Sequence, residues 1–177
     1  MQRVSTTVIA LIGEQARASA KGLDGAANVR VELPDPAAPP LERAAAAWQA
    51  ATGTKAPYLV HDADPLALVA DAWTRRFDEQ GPAGELEVAL ADTLARWRAR
   101  AIELPDYYLV LDAASLTATR RHWYLGVLHR AAPTRVVPLD TATDQLRTRL
   151  GKLTSGPWWP DLDRVLADVD RVVPDRV

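Results

Sequence analysis

The chain has 177 residues, with 21 Lys plus Arg, 23 Asp plus Glu, three His and no Cys. That length suits one domain whose core can form without disulfides or metals, and 48% hydrophobic with 25% charged residues excludes a disordered or collagen-like chain. A net charge of −2 argues against non-specific coating of nucleic acid, and the lack of Cys removes thiolate metal sites and cysteine nucleophiles.

Residues 4–12 are rich in β-branched side chains and predict a first strand ending at Gly13. Arg3, the apolar run and Ala18-Ser19-Ala20 imitate an export signal. The run is too short, however, and Glu14 and Arg17 follow it, so the cytoplasm is the expected compartment. No stretch approaches the roughly 18 apolar residues of a spanning helix. Residues 14–23 read as a helix closed by Gly22 and Gly25. Val29, Val31 and Leu33 alternate with Arg30 and Glu32, as in a strand near a sheet edge.

An Ala-rich helix follows over residues 41–51, then a short buried strand at Tyr58-Leu59-Val60. Asp64-Pro65 has the form of an N-cap followed by a first-turn proline. Leu66, Val69, Trp73 and Phe77 then recur at helical spacing. Leu86, Leu90, Leu94 and Trp97 form the stripe of another helix. Residues 107–111 are an apolar fourth strand, and Ser115 is placed to cap a helix running to Ala131. Residues 135–139 form a fifth strand. Thr141 and Asp144 open the next helix as a box-like cap. Leu162, Val165, Leu166, Val169, Val172 and Val173 give an amphipathic end to the chain. The alternation predicts an α/β fold of about five mainly parallel strands with helices on both faces, a Rossmann-like three-layer sandwich. Residues 1–155 form the domain, and residues 156–177 add a C-terminal helix packed on it.

In an open parallel sheet, ligands bind beyond the carboxyl ends of the strands. Acidic residues stand at four such ends: Glu14, His61-Asp62-Ala63-Asp64, Asp112 and Asp140. Carboxylates gathered there could hold Mg²⁺ and clamp a phosphoryl group. The competing explanation is that Asp64 and Asp112 are helix caps. Of the pair, Asp62 is the functional candidate, because it has no capping partner at ideal spacing. His61 beside Asp62 is a general-base candidate, weighed against a half-buried, hydrogen-bonded strand-end histidine.

A strand followed by Glu14, with Asp62-Ala63-Asp64 after the third strand, resembles the Toprim layout of topoisomerases, primases and some nucleases over about residues 4–79. The resemblance implies Glu14, Asp62 and Asp64 as Mg²⁺ or phosphoryl-transfer residues, and the acidic strand ends add Asp112 as a further catalytic candidate. Two departures stand out. Gly13 precedes the glutamate instead of following it, and Pro65-Leu66 stands where that layout often has an Arg or a Gly-rich stretch.

No G-x-x-x-x-G-K-[ST] or G-x-G-x-x-G loop follows the first strand, and no G-x-S-x-G or H-E-x-x-H occurs. Arg120, Arg121 and Arg130 lie near Trp123 and Tyr124, a mixture that grips single-stranded nucleic acid. The plainer reading is a solvated face over a core Trp. In Gly156-Pro157-Trp158-Trp159-Pro160, one Trp is expected in the core and the other as an exposed anchor for a partner chain. Because no complete catalytic constellation can be spelled out, the leading expectation is a non-catalytic domain binding a partner protein, a second copy or a small ligand. The alternative is a Mg²⁺-dependent phosphoryl-transfer enzyme or nuclease. A nucleic-acid-binding accessory module comes third, and no membrane role is expected.

Overall fold

The computed structural model describes residues 5–78, 80–140, 143–154, 156, 159–167 and 169–174, and the side chains of residues 143–145 are outside that description. Five strands, β1 (Thr7–Ile12), β2 (Val29–Glu32), β3 (Tyr58–His61), β4 (Tyr107–Leu111) and β5 (Val136–Leu139), form one sheet in the order β2-β3-β1-β4-β5. Every pairing is parallel. The helices are α1 (Ala16–Lys21), α2 (Pro40–Gly53), α3 (Ala67–Phe77), α4 (Glu85–Arg98), α5 (Ala118–His122), α6 (His129–Ala131), α7 (Thr143–Leu150) and α8 (Leu162–Leu166). No helix among the described residues is long and apolar enough to cross a membrane.

Strand chemistry explains the order. β1 is TVIALI, buried at every position, and β4 is YYLVL, likewise buried throughout. Strands apolar on both faces belong in the middle of a covered parallel sheet. β2 is half-exposed and carries Arg30 and Glu32, and β5 carries Pro138, which cannot donate to a ladder. Both therefore sit at edges. Side chains alternate across the sheet. Ala10, Ile12, Tyr108 and Val110 meet α3, α4, α8 and the helical segment around Trp123. Ile9, Leu11, Leu109 and Leu111 meet α1 and α7.

Three local expectations change. The helix expected from Ser115 starts at Thr117 instead, whose Oγ1 accepts the Arg120 N–H at 3.2 Å. Residues Ala113–Ser115 form a separate 3₁₀ turn. Thr117→Ala should therefore lower stability by about 1 kcal/mol in urea unfolding, and Ser115→Ala by much less. Second, Trp123–Leu128 is wound as a π-helix between α5 and α6. The His122 ring occupies the space beside Gly126, where a Cβ would lie 2.7 Å from Nε2. That ring stacks on Trp73 with centroids 6.1 Å apart. Third, the final apolar stripe is helical only to Leu166. Beyond it, the Val169 carbonyl accepts the Trp73 indole N–H at 2.8 Å, a tertiary bond in place of a helical one. The box-like cap expected at Thr141 and the anchor role of Trp158 fall outside the described residues.

Candidate functional site at the carboxyl edge

The crossover from β1 out to β2 and back to β3 brings the amino-terminal parts of α1 and α2 to the end of β3. Gly13 ends β1 with φ +119°, and a Cβ there would lie 2.6 Å from the Leu111 carbonyl oxygen. Only glycine fits that close, left-handed passage. A short turn, Ala16 N–H to Gly13 O at 3.1 Å, then enters α1.

Arg17, on α1, crosses to the neighbouring strand ends. Its Nη1 donates to Asp62 Oδ2 at 2.7 Å and to the Pro34 carbonyl at 3.0 Å, and Nη2 donates to the Leu33 carbonyl at 3.3 Å. Arg43, on α2, donates to the Asp62 carbonyl at 3.2 Å and stands 3.4 Å from Asp62 Oδ1. The Asp62 side chain is only 6% exposed, whereas those of Arg17 and Arg43 are 33% and 24% exposed. Two guanidinium groups thus lie over one buried carboxylate. Asp62 Oδ1 and Arg43 Nε are buried without hydrogen-bond partners, so the cluster is under-satisfied as it stands.

Asp64 does a different job. Its Oδ1 accepts the Leu66 N–H at 2.8 Å and the Tyr108 hydroxyl at 3.0 Å, and Oδ2 accepts the Tyr124 hydroxyl at 2.8 Å. Leu66, not Asp64, is the N-cap residue of α3, so Asp64 closes the turn before the helix. Burial raises its pKa, and the hydrogen bonds from Leu66 and Tyr124 and the charge of Arg120 oppose the rise. Burial also pushes the Tyr108 and Tyr124 hydroxyls well above 10, with the Asp64 charge adding to the effect. Tyr124 accepts from Arg120 Nη2 at 3.3 Å, and Arg120 pairs with Asp71. His61 is buried, and its Nδ1 accepts the Ala63 N–H at 3.3 Å. Desolvation lowers its pKa to about 4, against the opposing charge of Asp62.

The expected metal shell is not built. Asp62 is neutralised by two arginines, and three donors engage the Asp64 oxygens. Glu14 and Asp112 are exposed, and Asp112 adopts a left-handed backbone with φ 44°. Among the described residues no group of three or more His, Cys, Asp or Glu side chains could hold a metal ion. Among the described residues, the structure therefore does not gather Glu14, Asp62 and Asp64 into one carboxylate shell of the kind the Toprim-like layout implies. The aromatic grip on nucleic acid fails too. Trp123 and Tyr124 are buried and cannot stack on bases. Arg120 is turned inward to Asp71 and Tyr124, Arg121 is half-buried, and Arg130 is exposed farther along the helix. Trp159 donates to the Pro105 carbonyl at 2.7 Å and meets Tyr108 edge-on at 5.7 Å, which makes it part of the core packing.

Reading strand ends for acids missed Arg17 and Arg43. The available signal was a single Arg near the start of each of two Ala-rich helices that follow strand ends.

No protein-family model matches the chain. No curated protein matches it either. Among solved structures, the thymidylate kinase from Candida albicans is similar, with a TM-score of 0.52 at 14% identity, covering 85% of this chain and 92% of that one. The similarity shows a shared fold: a five-stranded parallel sheet of Rossmann-like α/β type with helices around it. It also corrects the expectation of a non-catalytic partner- or ligand-binding domain. That expectation rested on missing motifs, and the same architecture at 14% identity is that of a thymidylate kinase.

Proposed function

We propose that this chain catalyses phosphoryl transfer involving a small phosphate-bearing substrate, which Arg17 and Arg43 hold at the carboxyl edge of the sheet. The observation carrying the reading is the convergence of two partly exposed arginine side chains over buried Asp62, at the edge where ligands of open parallel sheets bind. The fold shared with a thymidylate kinase supports the reaction class. Guanidinium forks match phosphate oxygens in geometry and stay charged at all working pH values. Phosphoryl transfer needs little covalent chemistry from a protein, since positioning and charge neutralisation supply most of the rate. Arg17 and Arg43 can do both. In the transfer, the bond from phosphorus to the donor's leaving oxygen breaks as the bond to the acceptor oxygen forms.

The test has two arms. Calorimetry measures binding of thymidine 5′-monophosphate, other nucleoside monophosphates and inorganic phosphate. A coupled assay measures diphosphate formation from ATP with each acceptor. Arg17→Ala and Arg43→Ala should each weaken binding of the preferred phosphate compound at least tenfold, with the fold kept in circular dichroism. If no phosphate compound binds and none is turned over, the reading is wrong.

A further inference from the structure

We infer that the chain has a second ligand site, for a small carboxylate carrying an apolar tail, between α6 and α8. A cavity of about 480 Å³ opens there. Its walls include Val127 from the π-helical segment, Ala131 from α6 and Val165 from α8, with Val169 and Val172 beyond. Val127 and Val169 are buried, and Val165 and Val172 are half-buried. Two charged residues line the same cavity, Arg130 from α6 and Arg164 from α8, and both are arginines. Among the described residues neither pairs with a carboxylate and no acidic residue lines the cavity.

The chemistry selects the ligand. Cavities of small-molecule sites measure roughly 300–1,000 Å³ and combine apolar walls with a few polar groups. Valine and alanine walls favour an alkyl or aryl body. Two guanidinium groups with no carboxylate partner among the described residues favour an anionic head, which each can hold by paired N–H donors. A bare inorganic anion would leave the valine walls unused, and a neutral hydrocarbon would leave the arginines unused. The site lies near the amino end of β5, because α6 leads into that strand, and is separate from Arg17 and Arg43 at the opposite edge.

The test uses decanoate, decyltrimethylammonium, acetate and inorganic phosphate in calorimetry with the full chain, the amphiphiles below their micelle-forming concentrations. Decanoate should bind one to one, at least tenfold more tightly than acetate or decyltrimethylammonium. The double variant Arg130→Ala/Arg164→Ala should weaken decanoate at least tenfold and leave phosphate binding at the carboxyl edge unchanged. Ala131→Leu, which fills the cavity and keeps both charges, should also weaken decanoate. Both arginines are exposed, so the double variant should keep its melting curve. Equal binding of both amphiphiles would reduce the cavity to an apolar patch, equal binding of acetate and decanoate would reduce it to a charged one, and either result overturns the inference. So does a double variant that binds decanoate like the parent.

Discussion

Replacing Asp64 with Ala should destabilise the fold by about 3–4 kcal/mol, as three buried donors lose their acceptor at once. The Leu66 N–H and the Tyr108 and Tyr124 hydroxyls all end on this one carboxylate, and both tyrosines are almost wholly buried. A lost bond to a charged acceptor costs about 1.5–3 kcal/mol. The sum is reduced because the variant no longer buries a carboxylate. Read from sequence alone, Asp64 before Pro65 is a helix cap worth about 1 kcal/mol. The larger figure comes from Tyr108 on β4 and Tyr124 on the π-helical segment, residues 44 and 60 positions away. Asp64→Asn keeps an acceptor oxygen for Leu66 and Tyr108, and the Tyr124 hydroxyl can rotate to accept from the amide. It should lose less than half as much. Urea midpoints of both variants measure this, with the near-ultraviolet circular dichroism of the buried aromatics as a second readout. A loss of 1 kcal/mol or less for Asp64→Ala would mean that the tyrosine contacts contribute nothing and that the residue is only a turn.

The fold was legible because its decisive signals are local. β1 and β4 are unbroken apolar runs, and such runs are buried on both faces. β2 alternates, and it lies at an edge. The stripe of Val69 and Trp73 needed only helical periodicity to be assigned to the core. Signals failed where tertiary contacts override local pattern. Nothing local distinguishes Ser115 from Thr117 as a cap. The π-helical winding at Trp123 accompanies a contact between His122 and Gly126 that the sequence does not announce.

The site was legible only in part. Strand-end logic pointed to the carboxyl edge and to Asp62. It could not say that Asp62 would be neutralised by Arg17 and Arg43, since that depends on the order β2-β3-β1, which sets two helices beside one strand end. Acids at successive strand ends look alike in sequence. In the fold Asp62 faces two cations, Asp64 faces two phenols, and Glu14 and Asp112 face water. The chemistry of a carboxylate is set by those neighbours, and the neighbours come from distant parts of the chain.

His61 should make the fold sensitive to mild acid. It lies at the end of β3 and is 3% exposed, and burial lowers its pKa from 6.5 to about 4. The charge of Asp62 opposes that shift, and the charge of Arg43 adds to it. The Ala63 N–H donates to Nδ1, so the neutral ring carries its proton on Nε2. A folded-state pKa below the unfolded one means that the unfolded chain binds more protons in the interval between them. The stabilising contribution is therefore complete above about pH 6.5 and is lost as pH falls to about 4. With about 1.4 kcal/mol per pKa unit, the loss is about 3 kcal/mol. Asp64 works in the opposite sense, because its folded-state pKa is raised, and it favours folding as pH falls. The histidine contribution is thus read by difference. His61→Asn retains an oxygen that can accept the Ala63 N–H and has no titrating group. Between pH 7 and 4, the stability gap between parent and variant should shrink by about 3 kcal/mol in urea unfolding. Two curves that fall in parallel across that range would show that His61 titrates no differently in the folded chain than in the unfolded one.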